Sequence, residues 1–123
     1  MTVTDQQKKA IQGYLDGFCA HSMDGILKWF SKDALVHSPT QDGPKKPADF
    51  YPPVIARSAG VKFEVRAFYA GETPDVATAL LAYHKPMPDG TLRMFDCVDI
   101  FTFDKTGKIR DLRIVFDTKK LTP

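Results

Sequence analysis

Apolar residues recur every three or four positions through the first third of the chain and every second position through its latter half. Thr4 with Gln7 is a capping-box signature, and Ile11, Tyr14, Leu15, Phe18 and Cys19 follow at helical spacing, which predicts a helix over about residues 4–20. His21-Ser22 interrupts it, and Met23, Ile26, Leu27 and Phe30, with Trp29 beside them, predict a short second helix. Residues 34–37 read as a short strand and 38–46, rich in Pro, Gly and charge, as a surface loop. A third helix starts near Pro47 and carries Phe50, Tyr51, Val54 and Ile55. Pro52-Pro53 removes two backbone donors from its middle, so a broken helix is predicted. From Val61 onward the period is two, with runs at about 61–69, 75–85, 91–103 and 109–116 that predict a four-stranded meander. Pro88-Asp89-Gly90 and Asp104-Lys105-Thr106-Gly107 supply turns with Gly where a positive φ is wanted. Helices first and strands afterwards argue for an α+β fold. Residues 118–123 are expected to fray.

A length of 123 residues suits one domain spanning the chain, and 43% hydrophobic with 26% charged residues is a globular balance. The 17 basic and 15 acidic residues are interspersed, which leaves no patch fit for a polyanion and argues against a nucleic-acid partner. No basic leader precedes an apolar core, and no apolar run approaches the roughly 18 residues of a membrane span, so no membrane association and a cytoplasmic location are expected. Cys19 and Cys97 lack CxxC spacing and read as small buried apolar side chains. His21, His37 and His84 fall on separate elements without a carboxylate at ligand spacing, so neither a metal nor another cofactor is expected.

One strand face carries candidate chemistry. Phe95, Cys97, Asp99, Phe101 and Phe103 share one side of the third long strand, while Asp96, Val98, Ile100 and Thr102 share the other. Asp99 is thus the lone acid on an aromatic face, where it must find a strong partner or stay protonated as desolvation raises its pKa. A neutral Asp99 can donate a hydrogen bond; alternatively it caps a loop or pairs with Arg113 or Arg66. Tyr14 reads either as core or as a buried hydroxyl in need of a partner.

The run Tyr14-Leu15-Asp16-Gly17-Phe18 through Met23-Asp24-Gly25-Ile26 to Phe30, then Asp33-Ala34, resembles the opening of a bacterial Δ5-3-ketosteroid isomerase. Val98-Asp99-Ile100-Phe101-Thr102-Phe103, Gly107-Lys108-Ile109 and Arg113-Ile114-Val115-Phe116 resemble that family's last two strands, and coverage runs from about residue 8 to 116. The resemblance implies the cone shared by ketosteroid isomerases, nuclear transport factor 2 and SnoaL-type polyketide cyclases, with three helices packed on a curved antiparallel sheet around a pocket. It implies that Tyr14 and Asp99 form an oxyanion hole for a steroid 3-oxygen, that Tyr51 buttresses Tyr14, and that Phe116 forms an aromatic wall. Phe18, Phe30, Phe95 and Phe101 are expected to complete the ligand site.

The chain departs from the family where the general base belongs, since the usual aspartate before a proline is here Ser38 before Pro39. A serine cannot take a proton from carbon near neutral pH unaided, and such a loss costs about 10²–10⁴-fold. His84, placed by alternation with Leu80 and Ala82, is the candidate replacement. His37 reads as a surface or interface residue and His21 as a helix cap. Pro52-Pro53 is the second departure, altering the pocket wall. The expected function is binding of a small hydrophobic carbonyl or enol-type ligand by Tyr14 and Asp99, with steroid-isomerase-type proton transfer through Ser38 or His84. The alternative is a non-catalytic small-molecule-binding or protein-interaction module. Val98, Ile100 and Val115 on the outer sheet face suggest a homodimer.

Overall fold

The computed structural model describes residues 2–123. Helix α1 spans Asp5–Cys19, and its start is closed reciprocally: the Gln7 amide donates to the Thr4 hydroxyl at 3.1 Å and the Thr4 amide to the Gln7 side chain at 3.0 Å. One face of α1 buries Ala10, Ile11, Tyr14, Leu15 and Phe18. His21 ends it in the left-handed region at φ 54°, and its ring donates to the Ser58 carbonyl, so it caps a different element from the one expected. Helix α2 is Met23–Leu27, capped by Ser22. Gly17 and Gly25 lie so close at the α1–α2 crossing that a Cβ on Gly17 would stand 2.4 Å from the Gly25 carbonyl.

Phe30, expected on the second helix, instead opens strand β1, Phe30–His37, which is longer than the predicted strand. The β-branched and aromatic positions that follow α2 favour extension once they can pair with a neighbouring strand. Helix α3, Pro47–Ala56, is one unbroken helix and not the split one expected. Pro52 and Pro53 cannot donate to the carbonyls of Ala48 and Asp49, but both of these residues are exposed and water can serve them.

The remaining strands are β2 (Lys62–Ala70), β3 (Val76–Pro86), β4 (Leu92–Phe103) and β5 (Ile109–Val115), close to the predicted meander. Gly90 and Gly107 take φ of 87° in the turns, as their positions require. The sheet runs β1-β5-β4-β3-β2, and β1 lies parallel to β5, so it is not wholly antiparallel. Register slips after Val65, leaving Arg66 unpaired, and again between Thr102 and Phe103. Such bulges bend and twist a sheet, and here they accompany its curl around the helices into the cone that the resemblance implies.

Residues 118–123, expected to fray, contain a 3-10 turn at Thr118–Leu121. The Arg93 guanidinium donates to the carbonyls of Lys120 and Thr122 at 2.9 and 2.6 Å. Cys97 is buried as expected, whereas Cys19, at the end of α1, is exposed. Among the described residues no helix is long and apolar enough to cross a membrane.

Candidate functional site

Between the helices and the concave sheet face lies a cavity of about 400 Å³, within the roughly 300–1,000 Å³ usual for small-molecule sites. Its buried end holds Tyr14 from α1 with Cys97 and Asp99 from β4. Its open end is marked by the exposed Thr40 and Arg57. Phe18, Phe50, Phe63, Tyr83, Ile114 and Phe116 form most of the wall between.

Alternation on β4 puts Asp99 inward, flanked along the strand by the buried Cys97 and Phe101 and across it by Ala79 and Ile114. Asp99 is 4% exposed and its carboxyl receives one hydrogen bond, from the Cys97 thiol at 3.5 Å. Burial pushes its pKa up to about 7, against a small opposing effect of that thiol. Neither arginine considered as a partner reaches it. Arg113 is exposed and opposite Ile100 on the outer face, and Arg66 lies 4.0 Å from Glu64.

The Tyr14 hydroxyl is 2.6 Å from that of Tyr51. Burial holds both phenols well above their ordinary pKa, and a charged Asp99 would raise each further, so both are neutral hydrogen-bonding groups. Tyr51 is fully buried behind Tyr14 and does not line the cavity. Phe30 and Phe101 pack edge-on to the Tyr14 ring at 5.6 and 5.9 Å and stand behind the wall as well. Phe95 likewise supports rather than lines the site, stacked at 4.5 Å on Tyr83. Of the six residues expected to contact ligand, Phe18 and Phe116 reach the cavity surface.

Ser38 lines the cavity, but its hydroxyl is engaged with that of Thr40 at 2.8 Å and accepts from the Thr40 amide. No carboxylate or imidazole stands in position to activate it, because Asp99 is the only acid and no histidine is present among the described lining residues. His84 is turned outward. Ala77, Ala79, Leu81 and Tyr83 form the inward row of β3, one residue out of step with the Leu80–Ala82–His84 row expected there, and the imidazole lies 3.7 Å from Glu64. His37 pairs with Asp111 at 2.8 Å, away from the cavity.

Several lining residues were not singled out from the sequence. Phe63 and Tyr83 sit on the inward rows of β2 and β3, and their aromatic character at period two was the available signal. Arg57, Lys85 and Leu121 carried none, since only the packing of the α3 end, the β3 end and the C-terminal turn brings them to one cavity wall.

Residues 11–112 match the family described as the SnoaL-like domain. No curated protein matches the chain. Among solved structures, TerC co-crystallised with polyporic acid is 23% identical over 95% of each chain, with a TM-score of 0.79. RV0760c from Mycobacterium tuberculosis, in complex with estradiol-17beta-hemisuccinate, is 16% identical over 95% of this chain and 98% of that one, with a TM-score of 0.77. A computationally designed 17-OHP binder is 19% identical over 95% of this chain and 96% of its own, with a TM-score of 0.76. At these identities the likeness is one of fold.

Proposed function

The chain belongs to the SnoaL-like domain family, and from that premise we propose that its cavity binds a small hydrophobic carbonyl or enol-type ligand whose oxygen is held by Tyr14 and Asp99. The observation that carries this reading is the placement of a buried phenol and a buried carboxyl at the closed end of one aromatic-walled cavity. The two hydroxyls share one hydrogen bond in which either can donate. On ligand binding the Tyr51 hydroxyl donates to the Tyr14 oxygen, which frees the Tyr14 proton for the ligand and strengthens that donor. Protonated Asp99 supplies a second donor, and a ligand oxygen carrying negative charge favours that protonated form further. Similar folds bound to or designed for small molecules support ligand binding as the use of the cavity.

Ser38 supplies no base, so steroid-isomerase-type proton transfer is latent in this site, with its oxyanion donors in place. The test is titration with 4-hydroxybiphenyl by calorimetry. Tyr14→Phe and Asp99→Leu should each weaken binding about 10-fold or more, the loss of one hydrogen bond to a partly charged oxygen. Equal affinity in all three proteins would end the proposal.

A second reading is favoured by the position of Asp99 as the only acid among the described residues of the cavity wall, with a pKa near 7 that suits proton uptake and release at neutral pH. Under it, Asp99 is itself the acid–base group. Deuterium exchange α to the carbonyl of bound 2-tetralone separates the two: exchange promoted by the native chain and lost in Asp99→Asn favours the second.

For the outer sheet face we propose pairing with a second copy of the chain. Leu80, Val98 and Val115 lie across it in register, and Val115 and Met94 are 48% and 53% exposed. Val115→Lys should shift the sedimentation coefficient from dimer to monomer, and a native chain already monomeric at 0.1 mM, or about that, would reject the pairing.

A further inference from the structure

We infer that the ligand of this cavity is an amphipathic acid, with an apolar body, an oxygen at the Tyr14–Asp99 end and an anionic group at the opening, held by Arg57 and Lys85. The inference rests on the binding site proposed above and names its ligand class. Arg57 is the C-cap residue of α3 and exposed; Lys85 follows Tyr83 on the inward row of β3 and is half-buried. Both line the cavity, where Asp99 is the only acid among the described lining residues and lies at the buried end.

What distinguishes these two cations is that both line the cavity with their charges uncommitted. Several cationic side chains outside the cavity are engaged. Arg93 is held by the tail carbonyls, Arg110 lies near Asp75, Arg66 and His84 near Glu64, and Lys108 donates to the Lys28 carbonyl. Lys28 and Lys8 lie over the rings of Trp29 and Phe68. Among the described residues Arg57 and Lys85 form neither an ion pair nor a side-chain hydrogen bond. Two cations brought to one opening from different elements, over an apolar wall, raise the local concentration of anions there and can hold a carboxylate by charge-assisted hydrogen bonds. The apolar wall between excludes a ligand that is charged along its length. Only a molecule with separated polar ends satisfies both regions.

The experiment compares 4'-hydroxybiphenyl-4-carboxylate with 4-hydroxybiphenyl by calorimetry at pH 6 and low ionic strength. The acid should bind the native chain about 10-fold more tightly, as expected of two partly exposed charge contacts. Arg57→Gln and Lys85→Gln should each reduce the preference, read as the ratio of acid to phenol affinity in the same protein, about threefold, and the double variant should abolish it. The preference should also shrink as sodium chloride is raised. Equal or weaker binding of the acid by the native chain, or a preference that survives in the double variant, overturns the inference. Failure of the underlying site is seen separately, as a neutral-phenol affinity that Tyr14→Phe and Asp99→Leu leave unmoved. Because both cations are at the opening and outside the core, the variants should keep the native melting temperature. Lys85→Glu provides a second check, with the acid then bound more weakly than the phenol.

Discussion

The hydroxyls of Tyr14 and Tyr51, 37 residues apart in sequence, meet at 2.6 Å in the core, and only Tyr14 also faces the cavity. Removing either hydroxyl therefore has different consequences. Tyr14→Phe keeps the ring packed against Phe30 and Phe101 but leaves the Tyr51 hydroxyl buried alone, which should cost about 1–3 kcal/mol of stability as well as phenol affinity. Tyr51→Phe should lose comparable stability yet retain most of the affinity. Denaturant unfolding and calorimetric titration of both variants check the split, and equal loss of affinity in the two would show that Tyr14 is not the ligand's direct partner.

Asp99 should make the fold less stable as pH rises. Its pKa moves from an ordinary 3.8 to about 7 on folding, so between those values the folded chain binds the proton that the unfolded chain has released. Stability from this group is complete below about pH 4 and is lost progressively up to about pH 7, a difference of roughly 4 kcal/mol. Asp75, Asp89 and Asp104 are held below their ordinary values by local hydroxyls and titrate under this window. Urea unfolding at pH 5 and pH 8 should thus show a decline in the native chain that Asp99→Asn lacks. The affinity for a neutral phenol should fall across the same interval in the native chain and stay level in Asp99→Asn.

Ser38→Asp should place a carboxylate at the one cavity position where the resemblance implies a base. With 5-androstenedione as substrate, isomerisation by this variant should exceed that of the native chain by at least about 10²-fold, and Asp99→Leu in the same background should remove the gain. No gain in a variant that still binds 4-hydroxybiphenyl would mean that position 38 is not aimed at the ligand's α-carbon.

Gly17→Ala should separate α1 from α2. The added Cβ would fall 2.4 Å from the Gly25 backbone, which cannot rotate away as a flexible side chain could, so the helices must move apart. The expected cost is about 1–3 kcal/mol, read as a lower urea midpoint with an unchanged slope. An unchanged midpoint would show that the crossing is looser than described.

Local patterns made much of this protein legible. The capping box at Thr4 and Gln7, the strand period after Val61 and the turn glycines Gly90 and Gly107 each depend on a few neighbouring residues. The inward face of β4 followed from period two alone, and so did the burial of Asp99 among aromatic rings. Where the same rule misled, at His84, the start of the count was off by one residue on β3, and alternation turns such a slip into the opposite face.

Tertiary structure decided which of these elements meet. The closure of Tyr51 behind Tyr14, the retreat of Phe30, Phe95 and Phe101 behind the wall, and the arrival of Arg57, Lys85 and Leu121 at one cavity wall all depend on sheet curvature and helix crossings. Arg93 ordered a tail whose own composition favours fraying, through carbonyls 27 and 29 residues away. Periodicity records which side of an element is apolar, and that is a property of the element alone. Distances between elements arise from packing, where bulges, glycine contacts and buried hydroxyl pairs act together, and no short stretch of this chain contains all the residues that set them.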